Sequence, residues 1–211
     1  MKPLPFTRAL VLGAHTDDEF GCSGTIVRLL EAGAEVFYAT FSTCEESVPE
    51  GFPRDVLQHE VRAAAAQLGL KSDQLFVYNY RVRHFPTFRQ DILEDMVKLR
   101  SLVAPDVVLL PALSDIHQDH QVIAREGLRA FKFASVLGYE LPMNTISFQH
   151  ACFVELSEAH VRRKITALAC YESQQFRPYV NEEFILGLGR VRGIQAGVQY
   201  AEAFEVIRLK L

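Results

Sequence analysis

The sequence predicts an α/β protein: a three-layer, Rossmann-like sandwich with a mostly parallel sheet of core strand order 3-2-1-4 and a C-terminal extension. Three observations lead there. Short apolar runs alternate with stretches of helical periodicity, the pattern of a parallel sheet with right-handed crossovers. Two of the runs, residues 9–12 and 107–110, are followed by clusters of His and acidic residues. In the doubly wound order the first and fourth strands are neighbours, and such sheets bind ligands at the carboxyl ends of their strands. Both clusters then fall on one edge.

The first strand, residues 9–12, ends in Gly13, and Gly21-Cys22-Ser23-Gly24 opens a helix carrying Ile26, Leu29 and Leu30. Residues 35–41 read as a second strand and residues 42–53 as a polar loop. Over residues 54–68 the apolar positions Val56, Leu57, Val61, Ala64, Ala65 and Leu68 form a helical stripe closed by Gly69. A third strand at 75–78 leads into a basic and aromatic loop, then a helix over 88–103 with Ile92, Leu93, Met96, Leu99 and Leu102 facing inward. The fourth strand, residues 106–110, precedes a helix starting near His120 with Ile123, Leu128 and Phe131 on its apolar side. Beyond Gly138 the periodicity loosens: a strand at 146–156, a helix at 158–170 capped by Ser157, a helix at 182–190 and a last strand at 204–209.

With 211 residues, 49% of them hydrophobic, and no linker-like stretch, the expectation is one domain spanning residues 1–211. A formal net charge of −4 without a long basic run offers no footprint for a nucleic-acid backbone. No apolar run approaches the roughly 18 residues of a membrane span, and residues 1–7 do not begin a secretion signal. A cytoplasmic protein without an integral membrane segment is expected. Cysteines 22, 44, 152 and 170 lack CxxC spacing, so reduced thiols are expected rather than a zinc ribbon or a disulfide framework.

The two clusters are His15-Thr16-Asp17-Asp18-Glu19 and Asp115-Ile116-His117-Gln118-Asp119-His120. The plain reading of the first is acidic residues complementing the positive end of a helix dipole. Two clusters meeting on one edge argue for more, because two imidazoles and a carboxylate suffice to hold a metal and leave a position open for water. The same donors also suit Fe(II) in non-haem oxygenases. A metal lowers the pKa of bound water to about 7 and polarises a carbonyl while a neighbouring carboxylate takes the proton. Asp17 and His117 are the spare groups for such work.

These two motifs resemble the paired motifs of the PIG-L/LmbE family of zinc-dependent N-deacetylases. The resemblance extends over nearly the whole chain, through Glu60, Leu68-Gly69, Tyr171-Glu172-Ser173-Gln174 and Tyr200-Ala201-Glu202-Ala203-Phe204. It implies zinc (Fe2+ as the alternative ion) on His15, Asp18 and His120, with Asp17 as general base. It further implies His117 as acid or oxyanion donor, with Asp119 tuning it as a supporting partner. The reaction implied is removal of the N-acetyl group from an amino sugar or its conjugate, by attack of metal-bound water assisted by Asp17. Two departures stand out: Thr16 where the family usually has Pro, and Leu57 where an Arg is common. Asp115, Arg129, Phe131, Gly138-Tyr139-Glu140 and Asn144 are more similar to members linked to bacterial surface polysaccharides.

The rivals are an Fe(II) oxygenase with the same ligands and a non-catalytic glycan- or metal-binding relative. Arg54, Arg83 and Arg89 are the candidate substrate contacts; Arg81, Arg83, His84 and Arg89 could hold a phosphate, although solvated loop charge is the plainer reading. His59, His150 and His160 lack acidic neighbours in motif spacing and are assigned no role. Glu19 reads as a ligand-orienting group or a dipole partner, and Cys22 and Cys44 fall near the expected site. The oligomeric state is not legible.

Overall fold

Strict alternation of apolar side chains decides the layering. In the computed structural model, which describes Met1 and residues 4–210, Ala9 and Val11 of β1 (Arg8–Gly13) face one hydrophobic cluster and Leu10 and Leu12 face another. Val107 and Leu109 of β4 (Val107–Pro111) join the first cluster, and Val108 and Leu110 the second. A strand buried on both faces needs helices on both sides. The expected domain, residues 1–211, also takes in Lys2, Pro3 and Leu211, which lie outside the described residues.

The remaining strands are β2 (Glu35–Thr40), β3 (Leu75–Val77), β5 (Ser135–Tyr139), β6 (Cys152–Leu156) and β7 (Tyr200–Arg208). They form one seven-stranded sheet in the order β3-β2-β1-β4-β5-β7-β6. The pairings from β3 to β5 are parallel, whereas β7 runs antiparallel to both β5 and β6. The first cluster is covered by α1 (Ser23–Glu31), α2 (Val56–Leu68) and α5 (Glu158–Leu168), through Ile26, Val61 and Val161 among others. The second lies under α3 (Arg89–Val103) and α4 (Gln118–Ala130), through Ile92, Met96 and Ile123. α6 (Glu182–Ala196) packs on β7 at the far end of the sheet.

Five expectations need correction. β5 occupies residues to which the sequence pattern assigns no strand, and it contains Gly138. Within the sheet that glycine permits close approach: a Cβ there would stand 3.0 Å from Ala112 Cα. The strand expected from residue 146 begins only at Cys152, where its register with Phe204 of β7 starts, and β7 itself begins at Tyr200. α6 continues past residue 190 to Ala196, where Gly197, at φ +71°, supplies the left-handed cap. Leu102 is 70% exposed instead of facing the core; α3 turns Leu99 and Val103 inward on either side of it. Ser157 caps α5 as expected, accepting from the His160 backbone N–H at 3.3 Å.

One long-range clamp fixes where α1 starts. The buried Glu202 carboxylate of β7 accepts from the Gly24 N–H at 3.0 Å, from the Thr25 N–H at 2.7 Å and from the Lys164 ammonium at 2.8 Å. It satisfies amides that a helix N-terminus leaves without partners. Among the described residues no helix is long and apolar enough to cross a membrane.

Candidate metal centre

β1 and β4 pair directly, so the loops leaving their carboxyl ends meet. The last position of β1 takes glycine because a Cβ there would lie 2.8 Å from the Tyr38 hydroxyl. That hydroxyl sits 3.1 Å from the carbonyls of both His15 and Thr16, and Tyr171 Oη reaches the Thr16 carbonyl as well. Asp18 closes the turn, its Oδ2 accepting from the His15 backbone N–H at 2.8 Å. Two buried tyrosines thus hold the first motif from beneath. Glu19, also buried, accepts from Tyr171 Oη at 2.9 Å and supports the loop rather than the donors.

On the other strand, His117 is the N-cap of α4, its Nδ1 accepting from the Asp119 N–H at 3.1 Å. Asp115 reaches both histidines of its motif: Oδ1 accepts from the His117 N–H at 2.8 Å and Oδ2 lies 2.7 Å from His120 Nδ1. Across the gap, His15 Nε2 lies 3.2 Å from Asp119 Oδ2. The Asp119 carboxylate therefore sits on His15 and on the backbone N–H groups of Arg83 and Phe85, not on His117 as the family resemblance implies. Helical geometry is the reason: the first turn of α4 points the Asp119 side chain back toward β1 and leaves only its amide for His117.

With His120 Nδ1 on Asp115 and His15 Nε2 on Asp119, the remaining ring nitrogens, His120 Nε2 and His15 Nδ1, face each other only 3.0 Å apart. That arrangement is repulsive unless a proton or a cation lies between them. Asp18 Oδ1 completes a triangle, 3.4 Å from His120 Nε2 and 3.6 Å from His15 Nδ1. Ligands about 2.0–2.2 Å from a tetrahedral zinc stand about 3.3–3.6 Å apart, so two nitrogens and one oxygen already have the spacing of a three-ligand face. The three imidazoles of residues 15, 117 and 120 also lie within 4.8 Å of one another. The set with Asp18 is the tighter one and leaves His117 beside it. The residues present fit a divalent ion.

Charge is arranged to match. Burial opposes ionisation of Asp18, but His120 and His15 hold it well below the usual carboxylate range. Burial also works against His15 and His120, and the carboxylates around them win, Asp18 foremost, raising them to about 10 and about 9. Asp17 is raised by burial and by Asp18, and partly offset by the Tyr179 hydroxyl, which donates to its Oδ2 at 2.7 Å. His117 is pushed down to about 4 by burial and its two imidazole neighbours. Glu19 is lifted to about 8 by burial and Asp17.

A cavity of about 320 Å³ opens over these groups. Of the candidate substrate contacts, only Arg83 lines it. Arg54 is exposed away from the cavity, and Arg89 is drawn, with Arg129, onto the fully buried Glu126. Leu57 and Thr16 are both part of the wall. Cys44 lines it too, Cys22 does not, and burial raises both thiols. Sequence reasoning gave no role to three residues. Asp115 was legible two positions before His117, whereas Tyr179 and Arg177 arrive from a segment after α5 that no spacing connects to the motifs.

Comparison with known proteins bears on this geometry. The PIG-L family profile, described as GlcNAc-PI de-N-acetylase, matches residues 10–131, more than half of the chain, and takes in both motifs. The chain belongs to the PIG-L family. A relative in Escherichia coli (strain K12), described as uncharacterized deacetylase YaiS, is 28% identical over 173 residues, covering 78% of this chain and 90% of that protein. The N,N'-diacetylchitobiose deacetylase from Pyrococcus horikoshii superposes with a TM-score of 0.77 at 20% identity, covering 96% of this chain and 84% of that one. GalB, the 4-carboxy-2-hydroxymuconate hydratase from Pseudomonas putida KT2440, reaches 0.78 at 20% identity, covering 96% and 97%. One fold thus carries an amide hydrolase and a hydratase, so the reaction has to be argued from side chains.

Proposed function

We propose that this chain is a metal-dependent amide hydrolase that removes the N-acetyl group from an N-acetylated amino sugar or its conjugate. The observation that carries the proposal is the triangle of His15 Nδ1, Asp18 Oδ1 and His120 Nε2, with sides of 3.0 to 3.6 Å, flanked by Asp17 and His117. Family membership and the deacetylase descriptions of YaiS and the chitobiose enzyme support the choice of reaction.

His15, Asp18 and His120 would hold the ion, zinc with Fe2+ as the alternative. Such an ion supplies Lewis-acid polarisation of the amide carbonyl and acidifies water. Asp17, raised by burial and Asp18, is the base that accepts the proton of the attacking water and later returns it to the leaving amine. Tyr179 holds one oxygen of that carboxylate and leaves the other for the water. His117 is the oxyanion donor: with Nδ1 accepting from the Asp119 amide and its pKa at about 4, it is neutral with its proton on Nε2. Asp119 and Asp115 orient the two ligand imidazoles from behind.

The test is acetate release, with stoichiometric free amine, from N-acetylglucosamine and its phosphate, nucleotide and glycan conjugates. The assay is run on metal-loaded and chelator-treated protein. Release that stops on chelation and returns with metal supports the reading. No acetate from any substrate with either zinc or Fe2+ loaded refutes it, and dioxygen uptake would favour the oxygenase.

A further inference from the structure

We propose that the cavity contains a built subsite for an anionic group, formed by Arg83 and Arg177, and that the natural substrate is an amino sugar carrying a phosphate or carboxylate. The inference rests on the sugar-amide reading of the same cavity. Both arginines line it. Other guanidinium groups of the chain are already matched with carboxylates: Arg81 with Glu46, Arg89 and Arg129 with Glu126, Arg192 with Glu140. Among the described residues, neither Arg83 nor Arg177 has a carboxylate within ion-pair distance. Arg83 reaches only the Glu46 backbone carbonyl, at 3.3 Å, while the Glu46 carboxylate is committed to Arg81 at 2.6 Å. Arg177 offers Nε to the Gln174 amide oxygen at 3.3 Å and lies over the Phe176 ring.

The backbone segments that carry them are held by buried groups. Arg83 sits at φ +69°, a left-handed conformation that a residue with a Cβ rarely adopts. The turn delivers its backbone N–H to the fully buried Asp119, which also bonds His15. Backbone strain kept at a ligand cavity marks a position that the fold enforces. The segment bearing Arg177 is anchored by the buried Glu60 of α2, which accepts from the Ser173 N–H at 2.8 Å and from its hydroxyl at 2.6 Å. Ser173 in turn accepts from Gln174, at 3.0 Å, and Gln174 accepts from Arg177. Apart from the three imidazoles, these two guanidinium groups are the cationic side chains of the wall, in a chain of net charge −4. Planar forks with free N–H groups bind phosphate and carboxylate oxygens in pairs.

The test uses reaction products, so it needs no turnover and is independent of acetate release. Metal-loaded protein is titrated by calorimetry with glucosamine, glucosamine 1-phosphate and glucosaminuronic acid. The expectation is that at least one anionic sugar binds about tenfold or more tightly than glucosamine, the one that does so naming the anion. R83Q and R177Q should each remove part of that advantage, the double variant nearly all of it, and R177K should restore part. R83Q leaves the Asp119 contact intact, because that contact uses the backbone N–H. Equal affinity for the three sugars, including no binding of any, overturns the proposal. So does an advantage that survives in the double variant, since the anion would then sit on the metal.

Discussion

Replacing Asp115 by Asn removes one charge and one acceptor from a buried carboxylate that needs both oxygens. Asp115 is 1% exposed, with Oδ1 on the His117 N–H at 2.8 Å and Oδ2 on His120 Nδ1 at 2.7 Å. An amide has a single acceptor oxygen, so the variant must choose. If the oxygen faces His120, the NH₂ group opposes the His117 N–H, donor against donor, and His120 loses the negative charge that keeps Nε2 basic. If it faces His117, the NH₂ group forces His120 to accept at Nδ1, and its proton moves to Nε2, the nitrogen needed for metal. Either way metal affinity falls. Loss of such a carboxylate behind a ligand histidine is worth about 10–100-fold, or about 1.4–2.7 kcal/mol. The orphaned donor costs the metal-free fold a further ~1–3 kcal/mol. Competition against a chromophoric chelator reads the first effect and thermal melting without metal the second. An Asp115→Asn protein with wild-type metal affinity would show that the carboxylate does not set the His120 tautomer.

Three further outcomes are expected. Asp17→Asn should keep its metal and lose about 10²–10⁴-fold in kcat, the worth of a general base; acetate release at the wild-type rate would remove Asp17 from the mechanism. For pH, His15 and His120 are raised to about 10 and about 9 in the folded, metal-free chain, against 6.5 as model values. Their stabilisation is complete below about pH 6.5 and is lost as pH rises through 9 to 10. Metal must displace those protons, so its affinity should rise with pH over the same interval and its binding at pH 7 should release protons. Calorimetry in buffers of different ionisation enthalpy measures that release, and a buffer-independent heat would contradict it. Glu202→Ala should destabilise the fold by about 3–5 kcal/mol, since Lys164 stays buried without its partner; an unchanged denaturation midpoint would count against the clamp at the start of α1.

How much of this was legible follows from which signals are local. The parallel core and the meeting of the two motifs come from alternation of short apolar runs with helical stripes, and β1 beside β4 is what the doubly wound order requires. The antiparallel end was less legible because β5, a buried strand of five residues, contains Gly138, whose value lies in the missing Cβ against Ala112. At the site, the donors were written in the motifs, but which carboxylate serves which imidazole was not. Asp119 follows His117 by two residues yet bonds His15, because the start of α4 aims it across the sheet edge. Charge type alone marks Arg54 and Arg89 in the sequence, and only three dimensions show Arg89 occupied with Glu126. Tyr179 and Arg177 belong to the site through the anchoring of their segment by Glu60, a contact between residues 113 positions apart in sequence.

In the proposed mechanism His15, Asp18 and His120 together bind one divalent ion that catalysis requires. Metal content of the purified chain, measured by mass spectrometry alongside His120→Ala and Asp17→Asn, decides whether they do. One zinc or iron per wild-type chain is expected, with the same content in Asp17→Asn and almost none in His120→Ala. A wild-type protein that takes up no divalent ion, or a His120→Ala protein that retains a full equivalent, would contradict it.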